Sequence, residues 1–284
     1  MVPRVDLPPR SALADLPSEP TPAARGRFRR LFAMRSETIL AVASPLALLA
    51  IWQGVAVAHL IDTRFLPPPS QLLGELRDGL TSGQLVRDAA WSLGRIAVGF
   101  AVGATAGVIV GALAGLSKTF RALFGPLFAA MYPIPKTALL PLLVLVFGYS
   151  EASKVSLIAI SSFFLVHVNT MHGVMTIPQV FIEVARDCGA SRTQFIRTVA
   201  IPGALPYIMA GLRLAWTVEL IVIVFVEMTA ATNGLGAYIM ASWRLFEVDR
   251  MMVGLLLLAF IGLVSNLLFD LLIRRLIPWK EQCS

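Results

Sequence analysis

Six separate stretches of this chain are apolar for long enough to cross a bilayer, which takes roughly 17–25 residues each, and that property leaves few folds open. They run approximately Thr38–Leu60, Trp91–Leu116, Leu123–Phe147, Lys154–Val174, Pro206–Val226 and Met251–Ile273. Backbone in hydrocarbon must satisfy its own hydrogen bonds, and runs of this length do so as helices. With 57% hydrophobic and only 14% charged residues over 284, the chain is too apolar for a water-soluble domain of its size. The expected fold class is an all-α polytopic membrane protein with about six transmembrane helices.

Charge sets the orientation. Arg25, Arg27, Arg29, Arg30 and Arg35 crowd the start of the first stretch, and Arg274, Arg275 and Lys280 follow the last. The positive-inside preference puts both termini in the cytoplasm. The net charge of +7 is therefore a topology signal, and a nucleic-acid partner, which needs a soluble basic face, is excluded. Residues 1–36, rich in Pro, Ala and Arg without apolar periodicity, read as a disordered cytoplasmic tail. Residues 37–280 read as one membrane domain with a polar loop over 175–205, and 281–284 as a short C-terminal tail. Cys188 and Cys283 have no His partners at metal-ligand spacing, so neither a metal site nor a disulfide is expected.

Within the spans, several residues ask for a role. Gly99, Gly103, Gly107, Gly111 and Gly115 recur every fourth position and make a groove for a close helix neighbour, in this subunit or a second copy. Pro126, Pro133, Pro135 and Pro141 must break the third span. Lys136 near its middle either faces a watery pathway or snorkels from a packing helix. His167, Asn169 and His172 are expected to hydrogen-bond between helices. A carboxylate at mid-depth costs at least about 2.5–3.5 kcal/mol, so Glu219 needs a partner, for which Lys136 is the intrachain candidate and Arg213 of a second copy the next. Ahead of the second span, Ser70 after Pro67, Pro68 and Pro69 reads as the cap of a short surface helix, either a contact for a binding protein or passive.

Between the fourth and fifth spans lies a charged island, Glu183-Val184-Ala185-Arg186-Asp187-Cys188-Gly189, followed ten residues later by Val199-Ala200-Ile201-Pro202. It reads as a short helix, a glycine break, a second short helix and a proline stop. Its spacing resembles the EAA loop of bacterial ABC-importer permeases, with Glu183, Ala185, Gly189 and Pro202 in register and Val184, Val199 and Ile201 as apolar replacements. Tyr132 to Lys136, Gly211-Leu212-Arg213, and Glu227 ahead of Gly234-Leu235-Gly236 resemble the nitrate, taurine and aliphatic-sulfonate members. The similarity covers about Leu66 to Lys280.

The resemblance implies a type I ABC importer permease in a bacterial cytoplasmic membrane, carrying a small anion such as a sulfonate, taurine or nitrate. It implies partners: ABC ATPase subunits holding ATP and Mg, an extracytoplasmic substrate-binding protein, and a second copy of the chain. No cofactor and no catalysis are expected in this chain itself. The ATPase-coupling residues would be Glu183, Ala185, Arg186, Asp187, Gly189, Ala190, Phe195, Ile196 and Pro202. Phe195 and Ile196 would form the apolar knob, while Glu183 and Arg186 would fix the loop against the membrane core. Pro133, Pro135, Lys136, Arg213, Trp216, Glu219 and Glu227 are the pathway candidates, Glu227 and its glycine pair being open to a purely structural reading. The rival class, a secondary transporter, would show paired broken helices in two halves, and only one proline-broken span is present.

Overall fold

The computed structural model describes residues 43–58 and 60–277. The proposed tails at 1–36 and 281–284 lie outside them, as does the start of the first apolar stretch. The chain divides into two units, one ending at Leu60 and one beginning at Ile61. In the first, α1 is a short apolar helix, Ala43–Val57.

The second unit is helical throughout its described elements: α2 (Pro69–Thr81), α3 (Gln84–Leu116), α4 (Lys118–Met131), α5 (Leu140–Phe147), α6 (Glu151–Met175), α7 (Gln179–Asp187), α8 (Arg192–Phe195), α9 (Ile201–Ala230), α10 (Leu235–Arg244) and α11 (Val248–Leu276). Four runs among the described residues are long and apolar enough to cross a membrane: α3, α6, the continuous stretch Arg192–Ala230, and α11. The α4–α5 pair makes a fifth, bent by 87°. With the shorter α1, these correspond to the six stretches read from sequence.

α3 and α6 run parallel and share the most extensive packing among the described elements of this unit. The glycine ladder causes it: Gly99 lies against Ile158, Gly103 against Ala159, Gly111 against His167 and Thr170, and Gly115 against Val174. A Cβ on Gly103 would stand 2.1 Å from the Ala159 carbonyl oxygen, so only glycine lets the two backbones approach this closely. In lipid, where hydrophobicity does not drive helices together, such close packing has to. The groove is therefore filled within one subunit. α9 returns antiparallel along the same pair, Gly211 meeting Asn169 near one end and Glu227 meeting Ser92 near the other.

The proline elbow has a local cause. Pro135 cannot donate to the Met131 carbonyl as a helix would require. Lys136 Nζ does so instead, at 2.7 Å, and also reaches the carbonyls of Tyr132 (3.1 Å) and Ile134 (2.9 Å), resting 4.3 Å over the Phe164 ring. A 3₁₀ turn, Lys136–Leu139, then leads into α5.

Three expectations change. Ser70 is not a cap: α2 begins one residue earlier, with Pro69 at its first position and Pro68 before it. Proline suits that position, because the N–H it lacks has no intrahelical acceptor there. His167 does not hydrogen-bond between helices; its Nδ1 has no partner among the described residues, and its ring packs on Phe128 (4.4 Å) and Phe163 (5.6 Å). Asn169 bonds to Leu165 on its own helix.

Candidate functional site

The two ends of the second unit are built on opposite principles. Where α3 and α6 begin and α9 ends, charges are gathered inward around Arg95. Its Nε and Nη2 donate to Glu151 (2.6 and 2.9 Å), Nη1 to Glu227 (2.6 Å) and to the Asn233 carbonyl (2.8 Å), and Nη2 to Asn233 Oδ1. All five guanidinium N–H groups are thereby used. Glu227, fully buried, also accepts from the Ser92 hydroxyl (2.7 Å) and Gly236 N (3.0 Å). Ser92 accepts from Leu235 N (2.9 Å), and Asp88 from Gly234 N (3.0 Å). Three acceptors thus meet the N-terminus of α10, whose free N–H groups and dipole favour negative charge. Gly234 holds φ at 106°, and a Cβ there would fall 2.3 Å from the Glu227 carboxylate. Through these bonds Glu227 and its glycine pair lock α3, α6, α9 and the α9–α10 turn together.

The sequence reading missed this knot. It placed Arg95 inside the second span without giving it a role. The signal was available, because Asp88, Ser92, Arg95 and Gly99 fall at helical spacing on the face that carries the glycine ladder.

At the opposite end, α7 closes in a Schellman motif: Gly189 N bonds to Arg186 O (2.9 Å) and Ala190 N to Ala185 O (3.0 Å), with Gly189 at φ 68°. Nothing lies within 4 Å of a Cβ built on Gly189, so backbone conformation alone requires glycine there. Ser191 then opens α8 with a full capping box, its hydroxyl accepting from Gln194 N while Gln194 Oε1 accepts from Ser191 N at 2.8 Å.

Pro202 does not stop this helix. A π turn, Ile196–Ala200, joins α8 to α9, and Pro202 lies in the first turn of α9. The change of register carries the helix past a residue that cannot donate.

Phe195 is not the outward knob either. It packs, half-buried, on the loop's own core of Val174, Ile177, Ala200 and Ala204, and Ile196 is half-buried beside it. The apolar residues that face out are Val180, Phe181 and Val184 on α7, each more than half exposed and on one face at i, i+1 and i+4. Ile182 and Ala185 turn to the inner side. Glu183, Arg186 and Asp187 are exposed and make no side-chain hydrogen bond or ion pair among the described residues. Glu183 and Arg186 therefore do not fix the loop to the membrane core.

The pathway candidates do not converge within one chain. Pro133 and Pro135 form the elbow and Lys136 caps its carbonyls. Arg213 pairs with Asp270 on α11, with Asn266 at 3.4 Å. Trp216 packs edge-on against Phe100 at 5.2 Å. Glu219, fully buried, accepts from Ser162 Oγ at 3.0 Å, and its other oxygen has no partner of good geometry among the described residues. The expected intrachain pair of Glu219 with Lys136 is thus absent, since the Lys136 ammonium is engaged by the carbonyls of the elbow. Beside that elbow a cavity of about 450 Å³ opens between α5 and α9, lined by Thr137, Leu140, Pro141, Tyr149, Phe225 and Thr229 among others.

Comparison with known proteins gives a consistent set of likenesses. The family model described as "Binding-protein-dependent transport system inner membrane component" matches residues 103–282. The taurine transport system permease protein TauC of Escherichia coli (strain K12) is 35% identical over 261 residues, covering 90% of this chain and 95% of that protein. SsuC of Bacillus subtilis (strain 168), named for aliphatic sulfonates transport, is 31% identical over 237 residues, 84% and 86% of the two. Among solved structures, the inward-facing MetNI methionine ABC transporter superposes with a TM-score of 0.60 at 19% identity, over 69% of this chain and 97% of that one.

Proposed function

From a chain that belongs to the binding-protein-dependent transport system inner membrane component family and is a multi-pass permease subunit of an ABC importer, we infer a specific division of labour between its two ends. The α7–α8 loop is the seat of a separate ATPase subunit, which holds ATP and Mg and carries out the hydrolysis. Val180, Phe181 and Val184 supply the apolar contact, and Glu183, Arg186 and Asp187 its charged rim. The Schellman and capping-box closures hold Ala185, Gly189 and Ala190 in one geometry, so that motion of the ATPase reaches α9 through Ile196, Phe195 and Pro202.

This loop end lies in the cytoplasm of a bacterial cell, with both termini on the same side, by the positive-inside preference. The other end faces an extracytoplasmic binding protein. Two copies of the chain enclose the passage, which follows the elbow at Pro133, Pro135 and Lys136 and the cavity beside α5. Trp216, Glu219 and Arg213 set the packing of α9 along it.

The cargo is a small organic anion of the sulfonate type. The names of the relatives support this, at 35% and 31% identity over most of both chains.

The observation that carries the reading is the outward apolar stripe of α7 set among charges that have no partner among the described residues. Reconstitution tests it: the permease in proteoliposomes with its ATPase and binding protein, with radiolabelled taurine uptake followed against ATP. Uptake is expected to need all three proteins, and excess alkanesulfonate or nitrate added as competitor ranks the anions. Uptake by the permease alone, driven by an ion gradient, would sink the assignment and favour a secondary transporter.

A further inference from the structure

The end opposite α7–α8 carries a groove of about 820 Å³, walled by the loop before α2, by α2 itself and by the α10–α11 turn. Four carboxylates line it, Glu75, Asp78, Glu247 and Asp249, against two guanidinium groups, Arg64 and Arg250. Both cations are already committed. Arg64 pairs with Asp62 at 2.8 Å and holds that carboxyl below its usual range, while Arg250 pairs with Glu247 at 2.8 Å and reaches Glu75 at 4.0 Å.

What remains is negative. Asp249 accepts only from the neutral Gln71 amide, at 2.5 Å, and the Asp78 side chain makes no hydrogen bond or ion pair among the described residues. In a chain of net charge +7, this groove presents two carboxylates without a cation.

An apolar anchor stands beside them. Phe246 is the one non-glycine residue with positive φ among those described, at 58°, and its side chain is 80% exposed. The turn is held by Phe246 N to Trp243 O (3.1 Å) and Glu247 N to Ser242 O (2.9 Å). Glycine would suit this backbone better, so what the position supplies is an outward-facing aromatic ring. An exposed aromatic beside unpaired charge is the pattern of a protein contact, with an anchor for affinity and charge for steering. Anionic lipid headgroups would be repelled by the same carboxylates. No group of three or more metal-ligating side chains occurs among the described residues.

Resting on the importer reading above, we propose that this groove receives a lysine- or arginine-bearing face of the binding protein, with Phe246 as its apolar anchor and Asp78 and Asp249 as its charge partners.

The test uses the permease–ATPase complex in lipid nanodiscs and the solute-binding protein that restores uptake by it. The quantity read is the binding-protein concentration giving half-maximal stimulation of ATP hydrolysis, each variant being referred to its own hydrolysis without binding protein. Asp78→Lys is expected to raise that concentration about tenfold at roughly 50 mM salt and far less at roughly 500 mM, where screening removes the charge contribution. Phe246→Gly should raise it at both salt concentrations. Neither change threatens folding, since the Asp78 side chain holds nothing in place and glycine relaxes the turn, and a melting curve of each complex verifies this. Stimulation curves that coincide with the unsubstituted protein would overturn the groove assignment alone, as would an Asp78→Lys effect equal at both salts. If the binding protein failed to stimulate even the unsubstituted complex, the importer reading itself would fall.

Discussion

The Arg95 knot and the α7–α8 loop hold comparable numbers of charged side chains and treat them in opposite ways. Around Arg95 each charge has found an internal partner: five guanidinium donors, two glutamates, an aspartate and the first N–H groups of α10 close on one another. On α7 none has one among the described residues, and three apolar side chains point outward among them. Unpaired charge at depth is costly in a membrane protein, and the knot offsets that cost for the polar groups near the ends of the spans. At a water-facing loop unpaired charge costs little, and what stays unpaired is available to another molecule. The position of a charge matters less than whether the chain has already answered it.

Substitutions can break or sharpen that contrast. The largest effect is expected from Arg95→Met, which strands Glu227 as a buried unpaired carboxylate and should destabilise by about 3–5 kcal/mol. Unfolding in mixed micelles measures it, and the double change Arg95→Met with Glu227→Gln should recover part of the loss. If the double variant were no more stable than the single, Glu227 would not be the group left stranded.

Next come two glycines that share positive φ but not surroundings. Gly234→Ala must strain the backbone and drive a methyl into the Glu227 carboxylate, a loss expected to exceed about 2 kcal/mol. Gly189→Ala meets open space and should lose only about 1 kcal/mol, from the left-handed backbone. Equal losses from the two would mean that the knot is looser than its distances indicate.

Smallest in stability, within about 0.5 kcal/mol, is Phe181→Ser with Val184→Ser, because both side chains are exposed. The same pair should nonetheless abolish stimulated ATP hydrolysis in the assembled transporter. Unaltered stimulation would show that the outward stripe of α7 is not the ATPase contact.

Much of the fold was legible in one dimension because its causes are local. Apolar length located the spans, a four-residue glycine period announced the α3–α6 contact, and Pro133 with Pro135 announced the elbow. The first helix of the loop and the need for glycine at 189 were readable from spacing, whereas the stop expected at Pro202 was not, because a π turn carries the helix past it. What failed was everything that depends on which neighbour fills a face. Lys136 was offered to Glu219, yet proline had orphaned carbonyls within its own reach, and the nearer demand won. Phe195 looked as available as Phe181 until Ala200 and Ala204 supplied a surface for it. The Arg95 knot draws on four elements spread over more than a hundred residues, and no periodicity along the chain joins Arg95 to Asn233.

The π turn that carries α8 past Pro202 has a mechanical consequence. It makes Arg192–Ala230 a single run of 39 helical residues, one end in the loop and the other beside the knot. At a rise of about 1.5 Å per residue this is a lever of about 58 Å, so each degree of tilt about the knot sweeps the loop end through about 1 Å. A pivot made stiff by the hydrogen bonds around Arg95 and a long arm ending in the loop would let a few degrees at the fixed end accompany a displacement of several ångströms at the loop.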